Sequence, residues 1–91
     1  MKKSVLVIGM GKFGTHLASK MQDLGHDVMI FDRDAAAVER LSTRFADARI
    51  GDFTSEDVLR EIDVSSFDVV FIMLGNDLEA SMITTLLAKR L

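Results

Sequence analysis

Apolar residues along this chain come in short unbroken runs, separated by stretches in which they recur every three or four positions. Ser4-Val5-Leu6-Val7-Ile8 is such a run, the mark of a strand covered on both faces. Phe13, Leu17, Met21 and Leu24 then recur at helical spacing and predict one inward face, with Gly25 placed as a left-handed C-cap. Asp27-Val28-Met29-Ile30-Phe31 predicts a second buried strand, closed by Asp32. Asp34 can N-cap a helix whose inner face is Val38, Leu41 and Phe45. A short third strand falls around Ala48-Arg49-Ile50 and ends at Gly51-Asp52. Thr54-Ser55-Glu56-Asp57 resembles a capping box with Asp in place of Glu, ahead of Val58, Leu59 and Ile62. Phe67 to Leu74 is the strongest strand signal, broken by Gly75-Asn76-Asp77. Leu78, Met82, Ile83, Leu86 and Leu87 predict a last amphipathic helix.

Alternating strands and helices, with the strands buried, imply the α/β class. They predict a Rossmann-like parallel sheet, connected right-handedly, with helices on both faces. The strand order expected for this winding is 3-2-1-4, and such folds normally add two more strands. The fourth strand would then lie on an open edge although its apolar run reads as interior. The expectation is one domain over residues 1–91, truncated after the fourth helix or completed by something else.

Composition narrows the function classes. A net charge of -3 argues against broad nucleic-acid binding, which needs a basic face. The absence of cysteine excludes a disulfide framework and a thiolate nucleophile. The longest apolar run, Val69 to Leu74, is far below the roughly 20 residues a spanning helix needs, so direct membrane insertion is not expected. His16 and His26 lack a second metal ligand at suitable spacing, and the methionines read as core filler.

Gly9-Met10-Gly11-Lys12-Phe13-Gly14 matches G-x-G-x-x-G between a strand and a helix. Gly9 allows the tight turn, Gly11 lets a diphosphate approach the backbone, and Gly14 lets the helix pack on the strand. The phosphates would sit on free N–H groups at the helix N-terminus. Asp32, at the end of the second strand, is placed to accept hydrogen bonds from ribose hydroxyls. It disfavours a 2′-phosphate by charge repulsion, which the adjacent Arg33 softens. Lys12 reads either as a phosphate ligand or as a plain surface lysine. Asp52 and Phe53 share the same sheet edge, as acceptor and cover for an adenine or as an ordinary turn. Leu74, Gly75 and Asn76 would form the opposite wall, although Asn76 also reads as an N-cap.

VLVIGMGKFGTHLA, LGHDVMIFDRD, ARIGDFTSEDVL and VVFIMLGNDLEASMITTLLAK together resemble the TrkA-N family, the RCK or KTN domains that regulate potassium channels and transporters. The resemblance implies a cytoplasmic regulatory domain, peripheral to the membrane through its partner. It implies binding of ATP, ADP or NAD(H), and assembly into homodimers and higher rings. On that resemblance Gly9, Gly11 and Gly14 shape the phosphate loop, Asp32 holds the ribose, and Asp52 lies beside the adenine. Lys12 falls where many members carry arginine, so it keeps the charge but loses the bidentate fork. Without the resemblance, the same residues also suit the cofactor-binding half of an NAD-dependent dehydrogenase.

Overall fold

The computed structural model describes residues 2–75 and 77–91. They build β1 (Ser4–Ile8), α1 (Lys12–Asp23), β2 (Asp27–Asp32), α2 (Ala35–Leu41), β3 (Asp47–Ile50), α3 (Glu56–Glu61), a 3-10 turn over Val64–Ser66, β4 (Val69–Ile72) and α4 (Leu78–Arg90). The strands pair in parallel in the order β3-β2-β1-β4, the winding that the apolar runs imply.

Side chains alternate across each strand and so feed two separate cores. Val5 and Val7 of β1 join Val28 and Ile30 of β2 beneath Ala18 of α1 and Ala37 and Leu41 of α2. Leu6 and Ile8 join Met29 and Phe31 on the opposite face, with Leu59 of α3 and Ala80 of α4. Helices therefore cover both faces, α1 and α2 on one, α3 and α4 on the other. Each large core side chain removed from water contributes about 1.5–3 kcal/mol, and β1 and β2 carry most of them.

Helix ends follow the expected chemistry with two shifts. Gly25 (φ +92°) closes α1 in a Schellman motif, its N–H on the Gln22 carbonyl and the His26 N–H on Met21. Asp34 caps α2 by accepting the Ala36 N–H. For α3 the cap is Ser55, which accepts the Val58 N–H, and not Thr54 of the expected box. Thr54 is held one residue earlier because the Asp52 carboxylate takes its backbone N–H. For α4 the cap is Asp77, accepting the Ala80 N–H. Asn76 lies outside the described residues.

Two helix faces differ from the pattern. On α1 the buried residues are Gly14 and Ala18, while Phe13 and Leu24 are 75% and 62% exposed. The helix approaches β1 so closely that small residues win the inner line over large ones. On α4 the inner positions are Ala80 and Thr84, with Leu87, Ala88 and Leu91 partly packed. Met82, Ile83 and Leu86 turn outward, so Met82 is not core, and the Leu78 side chain lies outside the described part. Thr84 is buried without penalty because its hydroxyl donates to the Phe53 carbonyl at 3.0 Å.

β4 is shorter than its apolar run. Its ladder begins where Asp68 N–H meets the Ser4 carbonyl and ends where Met73 N–H meets Ile8. Phe67 instead closes the 3-10 turn, and Gly75 (φ +62°) turns the chain towards α4. Pairing registers Ile8 with Phe31 and Ile72, and Asp32 with Ile50, so the strands end along one edge.

Candidate functional site

That carboxyl edge carries a crevice of about 300 Å³, at the lower end of ligand-pocket sizes. Gly9, Gly11, Lys12, Phe13 and Gly14 form one wall, and Asp32, Arg33 and Phe53 another. Met73, Leu74, Gly75 and Asp77 close the third side. Ten of the residues singled out from sequence thus meet in one place.

The three glycines stand there for different reasons. Gly9 adopts φ +101°, and a Cβ on it would lie 2.3 Å from the Met73 carbonyl oxygen. A Cβ on Gly14 would lie 1.8 Å from the Gly9 carbonyl oxygen, so the first turn of α1 can rest on the strand end only as glycine. Gly11 is different. Its backbone is ordinary (φ −73°, ψ −168°) and a Cβ there meets nothing within 4 Å. The space that its missing side chain leaves is the crevice itself.

Gly11 is also the N-cap of α1, so that helix has no side-chain acceptor at its start. The N-termini of α2, α3 and α4 are each closed by Asp34, Ser55 or Asp77. The first intrahelical bond of α1 is made by Thr15 to the Gly11 carbonyl. The residues before it, Lys12 to Gly14, line the crevice at the positive end of the helix dipole, where the first N–H groups of a helix have no intrahelical acceptor. Lys12 adds a full positive charge on the same wall.

Asp32 is half-buried where β2 ends, and its carboxylate serves the loops on either side. One oxygen accepts the Met10 N–H at 2.6 Å and the other the Asp34 N–H at 3.0 Å. A carboxylate has about four lone-pair positions, so acceptor capacity remains for a diol in the crevice. Met10 is not among the lining residues: its side chain is buried in the core and its N–H is taken by Asp32.

Arg33 stands with its guanidinium carbon 5.2 Å above the Phe53 ring and Nη2 3.2 Å from Asp77 Oδ2. Phe53 is 3% exposed and meets Phe31 edge-on, with centroids 6.3 Å apart. Asp52 is not among the lining residues. Hydrogen bonds from the Thr54 hydroxyl and N–H hold its carboxyl below the usual carboxylate range; slight burial opposes this and the Arg33 charge assists. Met73 and Asp77 line the crevice without being marked by the sequence motifs. The signal for Asp77 was its position directly before the α4 apolar pattern, where an aspartate caps.

Residues 5–91 match the model of the TrkA-N domain. The chain belongs to the TrkA-N family. It is 37% identical over its full length to the Ktr system potassium uptake protein C of Bacillus subtilis, covering 41% of that protein. It is 32% identical to the Ktr system potassium uptake protein A of Vibrio alginolyticus, over 96% of this chain and 40% of that one. The chain thus spans about two fifths of these relatives. A solved structure with TM-score 0.85 is the NAD(P)-binding domain of an exopolyphosphatase-related protein from Archaeoglobus fulgidus, 27% identical over 97% of this chain and 65% of that one. The Rossmann-like fold of this TrkA-N domain is therefore shared with a domain described as a dinucleotide binder. Among its described residues no helix is long and apolar enough to cross a membrane.

Proposed function

We propose that this chain is a nucleotide-sensing regulatory domain of a potassium channel or transporter, cytoplasmic and peripheral to the membrane through that partner. The observation that carries the nucleotide reading is Gly11, whose missing side chain no protein atom requires and whose position opens onto an uncapped helix start. A diphosphate placed there takes the N–H groups of α1, with Lys12 at its outer oxygens. The ribose then reaches Asp32, and the base lies towards Arg33 and Phe53. Leu74 and Gly75 face it from the β4 side, and Asn76 belongs to the same proposed wall. Asp52 acts on this reading through its turn with Thr54, beside the adenine and not under it.

Sensing and not turnover is supported by the groups in the crevice. Its ionisable side chains are Lys12, Asp32, Arg33 and Asp77. Asp32 is engaged by backbone N–H groups, and Asp77 by Arg33. Among the described residues none of these is paired with a nucleophile in the manner of an acid–base pair at work. The potassium-uptake names of its relatives supply the partner class, and homodimers or rings are the assembly this reading implies. The alternative, a cofactor-binding half of an NAD-dependent dehydrogenase, draws on the NAD(P)-binding neighbour.

Thermal melting with ATP, ADP, NAD, NADH and NADPH separates the two, because a ligand bound only by the folded form raises Tm. A larger rise with ATP or ADP than with NAD(H) supports the sensor. A response to NAD(H) alone fits both readings, and no response to any of them rejects nucleotide binding.

A further inference from the structure

Arg33 has two partners that the nucleotide reading alone does not use. Its guanidinium lies over Phe53 and is tied to Asp77, across the crevice from its own strand end. Asp77 is itself fixed, since its other carboxylate oxygen caps α4 through the Ala80 N–H at 3.1 Å. An exposed guanidinium is thus paired with an anchored anion. Asp32 does not compete for it, being turned to the Met10 and Asp34 N–H groups. The two acids divide the site: one faces the glycine loop, the other holds the arginine.

In dinucleotide-binding folds an arginine near the ribose acid accommodates a 2′-phosphate, and Arg33 directly follows Asp32. A free guanidinium there would pair bidentately with a 2′-phosphate. We infer that Asp77 withholds Arg33 from the 2′ position and so sets the site's selection for nucleotides with a free 2′-hydroxyl. The inference rests on the nucleotide reading. It makes Arg33 and Asp77 a specificity pair that acts on the ribose substituent and not on the phosphates held by α1.

The test is the affinity of the chain for ADP-ribose and for 2′-phospho-ADP-ribose, by calorimetry, in wild type, Asp77→Asn, Arg33→Ala and the double variant. Asparagine caps helices as well as aspartate, so Asp77→Asn keeps α4 in place. Removing the Asp77 charge alone reduces repulsion of any phosphate, and the Arg33→Ala background measures that part. With Arg33 present, Asp77→Asn should improve 2′-phospho-ADP-ribose relative to ADP-ribose about threefold to fivefold more than in its absence, the scale of an exposed ion pair. Equal effects in both backgrounds, with ADP-ribose still binding wild type, overturn the inference alone. Failure of wild type to bind either ligand overturns the nucleotide reading and this inference together.

Discussion

The Asp32 carboxylate accepts the Met10 N–H at 2.6 Å, so the side chain expected to hold a ribose also holds the glycine loop in place. Its two tasks can be separated by substitution. Asp32→Ala leaves the Met10 N–H without a partner and should cost about 1 kcal/mol of stability, the low end for a half-buried donor. In a chain this size that is a Tm fall of about 4–8 °C. Asp32→Asn keeps one acceptor for the Met10 N–H and loses only the exposed Asp34 bond, so it should melt above Asp32→Ala, yet weaken ADP about tenfold by losing charge-assisted bonds to the ribose. Wild-type affinity in Asp32→Asn, measured by calorimetry, would remove the carboxylate from the ligand's contacts.

Gly14→Ala should be far more damaging than Gly11→Ala. Its Cβ would fall 1.8 Å from the Gly9 carbonyl oxygen, which is backbone and cannot swing aside. Overpacking of this kind costs about 1–3 kcal/mol. Urea denaturation should show a lower midpoint with an unchanged m-value; a midpoint equal to wild type would mean α1 has room to retreat.

The β1–β4 edge carries its own pH dependence. Asp68 accepts the Ser4 N–H at 2.8 Å and the Ser4 hydroxyl at 3.1 Å, and these bonds hold its carboxyl below the ordinary value of 3.8. A lowered folded value means the contribution is fully present above pH 3.8 and is lost as pH falls through the folded value. Melting curves of wild type and Asp68→Asn should therefore run parallel above about pH 5 and converge below pH 4. Parallel curves down to pH 2.5 would show that the Ser4 bonds do not depend on charge.

Lys12 should matter in proportion to phosphate charge. Lys12→Ala is expected to weaken ATP about threefold to tenfold and adenosine hardly at all, since it removes a single point charge from the phosphate wall. Equal losses for both ligands would assign Lys12 a structural role.

Much of this molecule was legible because strand burial and cap chemistry are local signals. Ser4–Ile8 needed only its own apolar run, and Gly25 and Asp34 only their place beside a helix. What escaped the sequence depends on distance between elements. Phe13 looks like core by spacing, but the approach of α1 to β1 at Gly14 gives the inner line to Ala18. Met82, Ile83 and Leu86 look like an inner stripe, but the buried tie from Thr84 to Phe53 fixes α4 with that stripe outward. The Arg33–Asp77 pair joins residues 44 apart in sequence, and no periodicity announces it.

On the proposed function, α1 begins without a cap because a phosphate takes that place. Gly11→Asp tests it with effects of opposite sign. The Gly11 backbone suits an N-cap aspartate, which should stabilise the free chain by a few tenths of a kcal/mol while placing negative charge where the phosphate binds. Calorimetric titration of ADP into wild type and Gly11→Asp, beside their melting curves without ligand, is the direct measurement. Gly11→Asp should show an equal or higher Tm together with at least tenfold weaker ADP binding. Undiminished ADP affinity in a folded Gly11→Asp chain would contradict that reading.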